Sequence, residues 1–496
     1  MAEPAVLQRD YTRAMRRDGA RETMPPGSLW NLIDWIPEIM DARLRKRGGY
    51  VYASQDIHAV QGTATYLQNG IVAEYTAGQS ILVFDEDGRV YEAESASSTE
   101  DIGAAVVPLR PVFYQDKVIV PQFDGGAAPK KITRSGGTHT IAALGGSPPN
   151  GAHALVYKDV LWLGGASTLP RRTYFAVAGN PESWDTTNKY IDNSYDITGY
   201  LALANAVIIF SKQRATRVRG SVPPPDSDFQ VDDPVFNVGC TSSRSIANWR
   251  DKLIFANAQG LYITDGVAVE DLTKLCGMKS WWRDVMSGRE GFTTGTKYDP
   301  ASWYLVGGVF DDYYFYSILD ASGNKVDAGM IDLTKFAWIR LANFDATIFF
   351  DRLYPGELFW GRRGAARLGT ISDIFVPSAA TKNDADGTAV LPIVEYPFFM
   401  AQPGQKTAMR MYLGYDLRDA ASDNPTLRVS YTNSPESTTY TALTPDLPET
   451  TTYQRTMLQV DAAMPGIGIK VAQLAASSDT RLYELETDMQ QRERSR

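Results

Sequence analysis

The hydrophobic positions of this chain fall in short runs, roughly four to seven residues long, rich in Val, Ile, Tyr, Phe and Trp and broken by polar or small-residue turns. Gly and Pro are spread along the whole length, so the pattern predicts many short strands and few helices. Two segments carry a helical spacing. In Ala5–Glu22, Arg9, Arg13, Arg16 and Arg17 share one face, which predicts a short exposed helix or a mobile arm. Leu29–Leu44 is the second, with Pro37 expected to end or kink a helix near Ile36.

One unit recurs: an apolar strand, a tight polar turn, a second apolar strand, a small-residue turn and a third strand. The first turns are expected near Gly78, Asp116, Lys158, Asn205, Arg250, Pro300 and Pro355. Compare VFYQDKVIV (112–120), LVYKDVLWL (155–163), LALANAVIIF (201–210) and IANWRDKLIF (246–255). A spacing of roughly 40–50 residues with about four short strands per unit is what a β-propeller blade requires, because each small twisted sheet buries its faces only against its neighbours in a ring. The predicted class is all-β: a propeller of about seven blades, six or eight being alternatives, with a pair of β-sandwiches as the rival architecture. The expected division is an N-terminal arm with short helical segments (1–40), the propeller (41–378), a polar linker (379–388) and a C-terminal sandwich-like domain (389–496) built from six further alternating runs.

Composition narrows the chemistry. With 44% hydrophobic residues in 496, the chain can bury a sizeable core. No run of about 18 apolar residues predicts a membrane span, and the polar N-terminus does not read as a signal peptide. Cys240 and Cys276 are the only cysteines and read as buried thiols; His58, His139 and His153 leave few candidates for metal or acid–base work. A net charge of −9 argues against a broad basic face for nucleic acid.

Motifs for phosphate loops, dinucleotide folds, zinc proteases and serine nucleophile elbows are absent, and no catalytic, cofactor or metal residues are expected. Asp185, Asp196, Asp311, Asp312 and Asp351 read as solvated turn residues, although carboxylate pairs for glycoside hydrolysis obey no local spacing rule. DEDG (85–88) and TDGV (264–267) read as hairpin turns rather than calcium loops. Tyr313, Tyr314, Phe315 and Tyr316 read as core aromatics. The densest basic run holds Arg43, Arg45, Lys46 and Arg47; together with Arg9, Arg13, Arg16 and Arg17 these are the candidate residues for docking a partner or touching phosphate.

The strings LRKRGGY, AGNPESWD (178–185), VIIFSKQRATRVRG (207–220), VFNVGCTSSRSI (235–246) and KLIFANAQGLYITDGVAVEDLT (252–273), taken as a set, resemble the β-propeller virion proteins of tailed bacteriophages, the tail-nozzle and packaged-DNA stabilisation group. The resemblance covers about residues 40–375 and is strongest over 200–273. It implies a structural, non-enzymatic protein of the phage tail or head–tail junction, made in the host cytoplasm. Such a protein forms a homo-oligomeric ring, usually sixfold, around passing double-stranded DNA that it does not read by sequence, in contact with adaptor, fibre or spike proteins. The alternative expectation is a propeller that binds or processes carbohydrate in host recognition.

Overall fold

In a computed structural model the chain is described at residues 6–8, 15–18, 20–21, 24, 28–38, 43–48, 66–95, 98–288, 299, 303–352, 356–363, 366–375, 384, 389–400, 407–418, 425–464, 466–475, 477 and 479–491. Among the described residues, seven small antiparallel sheets follow one another: 67–104, 112–143, 153–192, 197–236, 247–271, 304–340 and 346–370. These are blades 1 to 7. The last has three strands where most have four.

Tight hairpins join the first two strands of several blades. Gln115 and Asp116 (φ 49 and 58), Lys158 and Asp159 (φ 47 and 58), Arg250 (φ 56) and Asp311 (φ 51) hold the left-handed conformation that such turns need. Second strands are buried on both faces because a neighbouring blade lies on each side. Ala206–Ser211 (AVIIFS) is buried throughout, which explains why it reads as a continuous apolar run and not as an alternation. Between blades most of the packing is apolar: Leu82, Phe84, Val118 and Ile132 join blades 1 and 2, while Trp162, Phe175, Ile209 and Val218 join blades 3 and 4. Leu67, Val83 and Tyr91 of blade 1 pack with Ile348, Phe350 and Phe359 of blade 7, so the ring closes on itself. Gly70 lies at this closure, where a Cβ would stand 2.3 Å from the Phe350 ring.

The sixth hairpin turn falls at Asp311–Asp312, between Tyr304–Phe310 and Tyr313–Leu319, and not near Pro300. The longer spacing reflects the helix Lys279–Ser287, inserted after blade 5 and packed through Trp282, Val285 and Met286. Pro300 and Pro355 lie outside the described residues. The aromatic run of blade 6 is core, as expected: Tyr314, Phe315 and Tyr316 are buried, and the Trp338 indole donates to Tyr316 Oη (2.8 Å).

Blade 6 does not end at its fourth strand. Asn31–Ile33 adds in parallel to Ala337–Arg340, and Ile393–Met400, Gly466–Gln473, Leu427–Thr432 and Thr441–Ala442 continue the sheet to nine strands. A second sheet of Trp35–Glu38, Arg43–Lys46, Asp479–Gln491, Thr407–Arg418 and Thr450–Met464, with Val6–Gln8 beside Asp479–Gln491, faces it. Val394, Tyr396, Ile469 and Val471 of one layer meet Leu44, Met411, Leu413 and Leu485 of the other in a shared core, a sandwich as anticipated.

Leu29–Leu44 is therefore not helical. Pairing of Asn31–Ile33 with a strand about 360 residues away, and of Trp35–Glu38 with Arg43–Lys46, overrides the local spacing. Pro37 lies in Trp35–Glu38 at the sheet edge, where its missing N–H breaks no ladder. Val6–Gln8 is likewise a strand; Arg9 and Arg13 lie outside the described residues. Trp35–Glu38 and Arg43–Lys46 belong to the C-terminal sandwich, and Asn31–Ile33 bridges it to blade 6, so these strands form no separate arm. Of the expected linker, only Asp384 is described, and it is buried. Both cysteines are free and buried, and burial raises both thiols, Cys240 to about 11. No helix among the described residues is long and apolar enough to cross a membrane.

Candidate functional site

The innermost strands converge around a chamber of about 210 Å³ at the axis of the ring. Two arginines reach into it from the segments that lead into innermost strands: Arg110 just before Val112–Tyr114 of blade 2, and Arg244 just before Ala247–Trp249 of blade 5. Arg110 Nη1 donates to the Ile246 carbonyl (3.3 Å), which ties blade 2 to blade 5. Arg244 Nη2 donates to Gln68 Oε1 of blade 1, and its guanidinium lies 5.1 Å from the centre of the Tyr304 ring of blade 6. The Asn69 amide donates to the Leu109 carbonyl. Side chains thus span the axis from several blades.

Burial lowers the pKa of both arginines, with Asp351 partly opposing the shift at Arg110. Asp351 is an exposed residue of the lining. Arg244 Nε and the Ser243 hydroxyl are buried in the same wall with no hydrogen-bond partner. Val309, Ile348 and Leu358 give the chamber an apolar side. Sequence reasoning missed Arg110 and Arg244. The available signal was position, since a residue just ahead of an innermost strand is delivered to the axis.

Between blades 1 and 2, Ser80 Oγ lies 3.1 Å from His139 Nε2, and His139 Nδ1 lies 3.4 Å from Glu92 Oε2. The order of groups is that of a nucleophilic triad, but all three side chains are buried between the two sheets, so solvent does not reach the hydroxyl. Arg134 Nη2 approaches the same carboxylate at 3.7 Å, and Tyr75 packs edge-on to the imidazole. Burial lowers the His139 pKa, with Glu92 opposing. The cluster serves as a polar lock between blades. His153, buried at the start of blade 3, is pushed down to about 4 by burial. His58 lies outside the described residues.

The basic run 43–47 is spent within the chain. Arg43 pairs with Glu38, and Arg45 with Glu38 (3.2 Å) and Asp479 (3.4 Å). Lys46 is fully buried, donates to the Ser477 carbonyl (2.5 Å), and is pushed down to about 8 by burial. Arg47 is buried between Asp34 (2.7 Å) and Asp384 (2.9 and 3.1 Å). Burial works against its charge, yet the two carboxylates hold its pKa above the ordinary arginine value. Arg17 lies over the Trp30 ring at 4.2 Å with Trp281 at 5.1 Å, and burial lowers it to about 10. Arg16 packs over Gly277, whose Cβ would stand 2.5 Å from its Nε. These residues fasten the N-terminal segment to the body, a role their density in sequence did not disclose.

The expected turns are turns, except that Asp351, although exposed, lies within the strand Ala346–Arg352 opposite Leu358. Asp85 Oδ1 accepts from the N–H groups of Asp87 and Arg89, and Asp265 Oδ1 from Val267 and Ala268. Asp185 caps its own loop in the same way, and Asp312 accepts from Trp249 and Arg250. Among the described residues, no group of three or more His, Cys, Asp or Glu is placed to hold a metal ion.

No protein-family model matches the sequence, and no curated protein matches it. Among solved structures, BamB from Moraxella catarrhalis is similar at 12% identity and TM-score 0.36, over 61% of this chain and 82% of that one. The Neurospora crassa Pan2 WD40 domain is similar at 6% identity and TM-score 0.39, over 66% and 94%. BBS1N in complex with ARL6DN is similar at 11% identity and TM-score 0.40, over 65% and 96%. At such low identity and loose superposition these likenesses carry no function, and the fold is read from the seven sheets themselves.

Proposed function

We propose that the chain is a structural component of a bacteriophage tail or neck, a nozzle-like protein that assembles as several copies around the DNA path and contacts other tail proteins. The observation that carries this reading is the nine-stranded sheet, which makes blade 6 and the C-terminal sandwich one hydrogen-bonded body. A part that must hold its place in a particle under internal pressure gains from such continuity, whereas propeller and appended domain are commonly joined only by a flexible connection. The sequence strings quoted above supply the family expectation.

The duplex runs between copies and not through a blade ring. A chamber of about 210 Å³ holds about seven water volumes and is crossed by side-chain hydrogen bonds. The negative net charge suits a wall past which phosphates slide without gripping. The test is mass spectrometry and electron cryo-microscopy of purified phage particles produced with a tagged copy of this chain. The expected result is the tagged chain in the tail or neck, in a ring of several copies. Absence from the particles, or a role confined to free protein that binds glycans on an array, would defeat the proposal.

A further inference from the structure

We propose that the axial chamber is a binding site for one small oxyanion of the phosphate class, held between Arg110 and Arg244. A guanidinium carries five N–H donors. Among the described residues Arg110 donates to the Ile246 carbonyl and lines the chamber. Arg244 donates to Gln68, and its buried Nε has no partner. The Ser243 hydroxyl, buried in the same wall, also has none. Two guanidiniums lining one space call for an acceptor with several oxygen atoms set apart, which a tetrahedral oxyanion supplies and a single chloride ion does not.

The charge balance agrees. Two guanidiniums face a single lining carboxylate, Asp351, which is exposed at the rim, so the chamber keeps a net positive charge. Burial disfavours both cations in the free protein, and a bound anion would offset that cost. Size sets the class of ligand. About 210 Å³ takes inorganic phosphate with a few waters, or a small phosphate ester whose apolar part lies against Val309 and Ile348, but not a nucleotide. Because the donors come from blades 2 and 5, an occupant would also brace the ring across its axis.

The probe is inorganic phosphate, titrated calorimetrically into the full chain at constant ionic strength with sodium chloride as the matched control. Saturable binding of about one phosphate per chain is expected. R110Q or R244Q should weaken it about tenfold or more, since each removes charge-assisted hydrogen bonds. Because Arg244 also contacts Gln68 and Tyr304, circular dichroism melts of the variants are run alongside. D351N, at the exposed rim, leaves the fold intact and should tighten binding about fivefold by removing the competing carboxylate. No saturable heat in the wild-type chain beyond the chloride control, or an affinity unchanged in R110Q and D351N alike, would overturn the assignment.

Discussion

Replacing Arg47 with Met tests whether the basic run is a fastening between units. Its guanidinium reaches Asp34 at 2.7 Å and Asp384 at 2.9 and 3.1 Å, and donates to the Gly48 carbonyl at 2.9 Å. Both carboxylates are fully buried, so losing the cation leaves two like charges facing one apolar side chain with no water to screen them. Breaking a buried ion pair from one side costs about 3–5 kcal/mol, and two stranded anions put R47M at the upper end. Met preserves much of the packed volume, so the loss reports charge more than cavity. Asp34 Oδ1 also accepts from the Ala342 N–H (3.0 Å), so the disturbance reaches the edge of blade 6. The assay is urea denaturation followed by tryptophan fluorescence, with limited proteolysis across 379–388. R47M should unfold at lower urea and be cut faster there. The triple variant R47M/D34N/D384N should recover most of the loss, because it removes the stranded charges together. If R47M stays within about 1 kcal/mol of the wild type, or the triple variant is no better than R47M, the triad is not what joins these segments.

Three other outcomes are expected. His153, held down to about 4 against an ordinary 6.5, stays neutral in the fold while the unfolded chain takes up its proton, so stability should fall as pH drops from about 6.5 towards 4. The full loss is about 3 kcal/mol, and H153Q should flatten that part of the urea-midpoint profile, His139 adding to the slope in the same direction. Gly146 has φ +76, and a Cβ there would stand 1.8 Å from the Glu182 carbonyl oxygen, so G146A should cost about 2 kcal/mol or more in denaturant titration; a neutral result would place that loop differently. W338F leaves Tyr316 Oη without its indole donor in a buried site and should cost about 1–3 kcal/mol, measured as a thermal shift beside Y316F, with the two losses less than additive.

The propeller was legible in the sequence because its two signals are local. Hairpin turns such as Gln115–Asp116 and Lys158–Asp159 use residues that tolerate a left-handed backbone, and the doubly covered strands are unbroken apolar runs. Leu29–Leu44 misled because Leu29, Leu32, Trp35 and Ile36 carry helical spacing, while Asn31–Ile33 is made a strand by Ile393–Met400 at the other end of the chain and Trp35–Glu38 by a hairpin with Arg43–Lys46. The fate of Arg47 was hidden for the same reason: one of its carboxylates is 337 residues away. Arg110 and Arg244 stand alone in sequence, and only ring closure brings them to one space.

The shared sheet has a mechanical consequence. A pull applied to the sandwich reaches blade 6 through the short strand Asn31–Ile33, which pairs with Ile393–Met400 at three positions and with Ala337–Arg340 at one. In the proposed assembly, load taken by the sandwich would therefore enter the propeller through that short strand and the core packed behind it.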